Sequence, residues 1–121
     1  MKKVLLLIDD TPTVRMFAKV TLGDEYDFLE AANGQVGLEV AERQPPDLIL
    51  LDYVMPVMDG IETLRALKTR PATRAIPVIM VTTKADPQMR AQCARLGCRA
   101  FLAKPIDREL LRSLVREALG G

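Results

Sequence analysis

Apolar residues in this chain gather in five short runs, separated by stretches in which apolar positions recur with a helical period. The runs are Val4–Ile8, Phe28–Ala32, Leu48–Leu51, Val78–Val81 and Ala100–Ala103. Leu48-Ile49-Leu50-Leu51 and Val78-Ile79-Met80-Val81 are continuous rather than alternating, which is the pattern of strands covered on both faces of a parallel sheet. Phe28–Ala32 is the weakest run and suits a sheet edge.

The intervening segments carry helix start and stop signals. Thr11-Pro12 predicts an N-cap followed by proline in the first turn, with Val14, Phe17, Ala18, Thr21 and Leu22 on one face. Asp86-Pro87 repeats that signal ahead of Met89, Cys93 and Leu96. Asp107 opens a last helix with Leu110, Leu111, Leu114, Val115 and Ala118 facing inward. Gly34 and Pro45-Pro46 bracket a second helix, and Gly60 and Pro71 a third built on Ile61, Leu64 and Leu67. Five strand-then-helix units predict an α/β fold, (βα)5, with a doubly wound parallel sheet and helices on both faces.

A length of 121 residues with 49% apolar content fits one domain over residues 1–121 with one sizeable core. The start, Met1-Lys2-Lys3 and five apolar residues, is closed by Asp9-Asp10, too short and too charged for a signal or a membrane span. A soluble cytoplasmic protein is the expectation. The chain has no His, which removes the commonest general base and zinc ligand and every His-dependent nucleophile arrangement. Cys93 and Cys98 read as two faces of one helix, reduced and without a metal role. The formal net charge of +1 hides a split: residues 1–62 hold 12 acids against five bases, residues 63–121 hold 12 bases against four acids. Such asymmetry can mark a site or an interaction surface.

In an open parallel sheet, ligands bind beyond the carboxyl ends of the strands. Asp9 and Asp10 follow the first strand, Asp52 the third, Thr82 and Thr83 the fourth, and Lys104-Pro105 the fifth. Three carboxylates gathered at one edge repel one another unless Lys104 and a cation compensate. Mg2+, a hard ion that binds through one or two carboxylates plus phosphate, suits them. Beside a phosphodonor, Asp52 can then act as the attacking nucleophile. The product is an aspartyl phosphate, with Lys104 pairing one oxygen and Thr82 donating to another. Singly, each residue has a plainer role: Asp10 as a helix cap, Thr82 and Thr83 as strand ends, Lys104 as a solvated lysine. Asp52 precedes Tyr53-Val54-Met55-Pro56 rather than a helix start, so capping explains it poorly.

The combination Asp9-Asp10, Asp52 in Leu50-Leu51-Asp52, Met55-Pro56-Val57-Met58-Asp59-Gly60, Thr82 after Val81, and Lys104-Pro105 resembles the receiver domain of two-component response regulators, most closely the single-domain chemotaxis type. The resemblance spans essentially the whole chain. It implies a flavodoxin-like sheet in the order 2-1-3-4-5. It also implies Mg2+ held by Asp10 and Asp52, by Asp9 directly or through water, and by the backbone carbonyl of Val54. Asp52 would accept a phosphoryl group from a partner histidine kinase or phosphotransfer protein. Thr82 and Phe101 match the family's hydroxyl-plus-aromatic switch pair, and Lys104-Pro105 matches its cis peptide. Phe101 stands where Tyr is frequent, so the ring can move by packing but carries no hydroxyl. Val54 and Lys84 occupy positions that tune phosphoryl lifetime. Carrying the active population from about 1% to 99% requires roughly 5.5 kcal/mol, within reach of a few charge-assisted hydrogen bonds to a phosphate.

The resemblance places output on the face of the fourth helix, fifth strand and fifth helix. Arg90, Arg95 and Arg99, with Arg108, Arg112 and Arg116 spaced by four, read either as a solvated stripe or as a partner-docking face there. A monomer is expected, with phosphorylation-linked dimerisation as the alternative. Nucleic acid is not expected, because the charge is near neutral and no recognition module is present. Three other readings stay open. One is the receiver half of a longer regulator. A second is a small phosphohydrolase with an Asp nucleophile, although Thr11 stands where the haloacid-dehalogenase signature wants a second acid. A third is a flavin or nucleotide binder, which lacks a Gly-rich loop after the first strand.

Overall fold

A computed structural model of the chain describes residues 1–83 and 86–120. Among these residues five strands and five α-helices alternate: β1 Lys3–Ile8, α1 Pro12–Leu22, β2 Tyr26–Ala31, α2 Gly34–Arg43, β3 Leu48–Asp52, α3 Gly60–Thr69, β4 Val78–Thr82, α4 Pro87–Arg95, β5 Ala100–Ala103 and α5 Arg108–Ala118. All strand pairs are parallel, in the order β2-β1-β3-β4-β5. The predicted doubly wound sheet is therefore the observed one. Every residue of β3 and β4 is buried, as continuous apolar runs require.

Strand pleating splits the core into two layers. Leu6, Ile8, Ile49, Leu51, Val78 and Met80 face α2, α3 and α4, whose Leu38, Leu64, Leu67 and Cys93 cover them. Leu5, Leu7, Leu48, Leu50, Ile79, Val81 and Leu102 face α1 and α5, covered by Ala18, Leu22, Leu111 and Val115. Each fully buried leucine or isoleucine contributes about 1.5–3 kcal/mol of transfer free energy.

Four sequence expectations change. β2 begins at Tyr26, two residues before the apolar run, because Tyr26 packs with Phe28 against one core layer and the start of an edge strand tolerates the exposed Asp27. Thr11 stands at the N-cap of α1 without a side-chain cap; its amide instead donates to Asp9 Oδ1 at 2.8 Å. Leu110 is 46% exposed, because Leu111 and Val115 suffice to seat α5 on the sheet. Cys93 and Cys98 do not share a helix. α4 stops at Arg95, and Gly97, at φ +92°, turns the chain so that the Cys98 amide donates to Cys93 O at 2.9 Å and the Gly97 amide to Ala94 O at 3.0 Å. That pair of bonds is a Schellman ending, and only glycine meets its left-handed position without strain. Both cysteines are free, and the Cys98 thiol donates to Ala100 O at 2.8 Å.

Candidate functional site

The carboxyl ends of the strands gather the predicted residues. Asp52 is the last residue of β3 and Thr82 the last of β4; Asp9 and Asp10 follow β1, and Lys104 follows β5. Asp9, Asp52 and Thr82 are buried, whereas Asp10 is exposed. One carboxylate oxygen from each of Asp9, Asp10 and Asp52 lies within 4.8 Å of the others. Lys104 Nζ donates to Asp52 Oδ1 at 3.1 Å and stands 3.5 Å from Asp9 Oδ2. Lys104-Pro105 is a cis peptide.

Electrostatics follow from this crowding. Burial raises the pKa of Asp52 above its ordinary 3.8, and the charge of Asp9 raises it further; the hydrogen bond and charge of Lys104 oppose both, and Asp10 adds a smaller push upward. One ammonium among three carboxylates leaves net negative charge in a largely buried setting. A hard divalent cation with oxygen ligands fits that donor set, and with a phosphoryl group it would complete the compensation.

Local sequence explains the placement. Asp59 caps α3 in a capping box with Glu62, accepting from the Glu62 amide at 2.9 Å while Glu62 Oε1 accepts from the Asp59 amide at 3.1 Å. The Gly60 amide donates to Tyr53 O at 2.8 Å, and a Cβ on Gly60 would stand 2.6 Å from Tyr53 Cα and 2.8 Å from Asp52 O. Glycine thus lets α3 begin against the backbone of the Asp52 segment. Between them Val57 takes φ +73°, with the Met58 amide donating to Pro56 O across it. Val54 and Val57 are exposed at the rim.

Beside the acids, a groove of about 300 Å³ is lined by Thr13, Val14 and Phe17 of α1 and by Lys104, Pro105 and Ile106. Arg15, which sequence reasoning did not single out, reaches under this edge: Nη1 donates to Asp9 O and Nε pairs with Glu30 at 2.9 Å. Its place one helical turn beyond Thr11 was the available signal.

Met80 pairs with Phe101, and Thr82 lies two residues beyond Met80. Alternation along β4 puts Met80 and Thr82 on one face, and Phe101 packs in the same layer as Met80. Thr82 and Phe101 therefore share the α4 side of the sheet. The guanidinium of Arg90 lies over the Phe101 ring, 5.0 Å from its centroid. The arginines of α5 divide differently from expectation. Arg108 stacks on Phe17 at 5.4 Å, and Arg112 donates to Thr21 O at 3.1 Å and pairs with Glu109 at 2.7 Å. Both reach from α5 toward α1, so the stripe is divided, with Arg108 still exposed and Arg112 partly so. Lys84 lies outside the described residues.

Among the described residues no helix is long and apolar enough to cross a membrane. The profile of the response regulator receiver domain matches residues 5–116. Protein PilH of Pseudomonas aeruginosa is 36% identical over 119 residues, covering 97% of this chain and 98% of PilH. Sporulation initiation phosphotransferase F of Bacillus subtilis is 33% identical, covering 98% of this chain and 95% of that protein. Response regulator PleD of Caulobacter vibrioides is 38% identical over 114 residues, and the match spans 25% of its length. Among solved structures, the Vibrio cholerae chemotaxis protein CheY4 superposes with a TM-score of 0.92 at 29% identity, covering 98% of this chain and all of that one. The fold, the acidic edge and these relatives agree: the chain belongs to the response regulator receiver domain family and is a phosphorylation-dependent signalling switch.

Proposed function

We propose that Asp52 is the phosphoacceptor of a single receiver domain spanning residues 1–121, working in the cytoplasm with Mg2+ and a phosphohistidine donor. The observation that carries this reading is Asp52 itself, a buried carboxylate at the end of a central strand, within 4.8 Å of two further acids and bonded to Lys104. Asp9, Asp10 and Asp52, with the backbone carbonyl of Val54, would hold the Mg2+. When bound, the ion neutralises phosphoryl oxygens in the in-line transfer.

The protein's own groups do the rest. An Asp52 carboxylate oxygen attacks phosphorus, forming the acyl phosphate O–P bond as the P–N bond to the donor imidazole breaks and the imidazole leaves with the electron pair. Lys104, already on Asp52 Oδ1, pairs with a phosphoryl oxygen afterwards, and Thr82 donates to another. The donor must come from outside, since the chain has no His. A histidine kinase or phosphotransfer protein would reach Asp52 over the rim formed by α1 and the Lys104-Pro105-Ile106 turn. Movement of Thr82 toward the phosphoryl group opens room for Phe101 to turn inward, altering the α4–β5–α5 face that a downstream protein reads. No membrane or nucleic-acid contact is invoked, and the unphosphorylated chain is a monomer in this reading.

Incubation with Mg2+ and a small acyl phosphate should label the protein stoichiometrically, with no label in Asp52→Asn or in the presence of chelator. Repeated turnover of a phosphomonoester without a labelled intermediate would instead favour a phosphohydrolase.

A further inference from the structure

Arg90 is exposed on α4, a helix whose buried side chains are Met89 and Cys93. Its guanidinium covers Phe101 at 5.0 Å, inside the range in which a cation is attracted to the face of a ring. Phe101 is half-buried and edges the layer that contains Met80 and Met89. The Arg90–Phe101 stack thus adds a contact between β5 and a helix that buries only Met89 and Cys93.

We propose that Arg90 is a positioning residue, a latch that holds Phe101 at the surface while the protein is unphosphorylated. The proposal rests on the reading above that Phe101 turns inward. A ring that moves toward Thr82 passes beneath α4 and leaves the guanidinium on its outer surface, so the inward state forfeits the stack. Arg90 thereby sets the resting balance between the two ring positions and ties α4 to whichever one is occupied. Phenylalanine suits this device: with no hydroxyl to bond outward, its surface position depends on what covers its face. The identity of the residue at 90 then becomes a setting of the switch.

The test uses the full chain carrying 4-fluorophenylalanine at its three Phe positions, with the Phe101 fluorine signal assigned by its loss in Phe101→Leu. Phosphorylation by Mg2+ and acetyl phosphate should move that signal in the parent protein. In unphosphorylated Arg90→Ala the signal should shift part of the way toward the phosphorylated position, the inward-to-outward ratio rising about two- to five-fold. Arg90→Lys should fall between parent and Arg90→Ala. The Arg90→Ala and parent signals should coincide once both are phosphorylated, and Arg90→Ala should keep a single cooperative unfolding transition. If the parent signal moves on phosphorylation but Arg90→Ala leaves the resting signal in place, the latch is overturned and the switch stands. If the parent signal does not move, the inward turn itself is wrong and the latch falls with it.

Discussion

Asp52 and Phe101 stand two strands apart in one sheet, and their surroundings differ in kind. Asp52 ends a central strand flanked by β1 and β4, is 5% exposed, and is held by Lys104, with Gly60 packed against its own backbone. Phe101 lies on the edge strand β5, half-buried, beneath the single guanidinium of Arg90 on a sparsely buried helix. The central strands β1 and β3 bring carboxylate oxygens of Asp9, Asp10 and Asp52 within 4.8 Å of one another despite their repulsion. Such fixed geometry lets small groups act on phosphorus without reorganising. In the proposed function, the edge strand lets one side chain, Phe101, exchange between two packings. Chemistry in that reading is thus seated on a fully buried central strand and readout on a half-buried edge strand.

Substitutions should respect that contrast. The largest effect is at the central strand, where Asp52→Asn should abolish phosphoryl acceptance altogether, whereas Phe101→Leu should retain it; equal losses would break the contrast. Gly60→Ala comes next. Its Cβ meets backbone rather than a yielding side chain, so about 1–3 kcal/mol should be lost in chemical denaturation, with weakened labelling of Asp52.

Relief of repulsion is a smaller effect of opposite sign. Burial, then the charge of Asp9, holds Asp52 above its ordinary 3.8, so the folded state binds that proton more tightly than the unfolded state does. Metal-free stability should therefore fall as pH rises from 3.8 through the raised folded value, and the corresponding slope should vanish in Asp52→Asn. Asp9→Asn should raise the metal-free unfolding midpoint at neutral pH by about 4 °C, the scale of 1 kcal/mol in a domain of this size. Mg2+ should stabilise the parent more than either variant.

The smallest effect lies away from both regions. Glu30 is held below its ordinary 4.5 chiefly by the hydrogen bond from Lys19, opposed by partial burial and aided by Arg15. Its contribution is present above 4.5 and lost as pH falls through the lowered value. Being exposed, it should be worth only about 0.2–1 kcal/mol in Glu30→Gln, screened by salt.

The same contrast governs what the sequence could reveal. Buried central strands announce themselves as continuous apolar runs, so Leu48–Leu51 and Val78–Val81 located β3 and β4 and, with them, Asp52 and Thr82 at their ends. Edge and surface features depend on direction, which spacing alone does not carry. Tyr26 and Asp27 joined β2 unannounced, and the Asn33 side chain, accepting from the Val36 amide at 2.9 Å, capped α2 without being noticed. Arg108 and Arg112 share a stripe with Arg116 in sequence but turn to Phe17 and Thr21 of α1, because an aromatic face and a terminal carbonyl lie within their reach. Gly97 ended α4 before Cys98 through a left-handed turn that helical periodicity overran. Arg90 was legible as a surface charge, and its ring partner 11 positions away was not.

Hydride reduction of the protein after incubation with Mg2+ and acetyl phosphate, followed by peptide mass analysis, tests the central claim most directly. An acyl phosphate on Asp52 would be cut to homoserine at that position, and the account predicts that product at residue 52 and at neither Asp9 nor Asp10. Homoserine at Asp9 or Asp10, or an unmodified chain under conditions that phosphorylate a receiver-domain control, would contradict it.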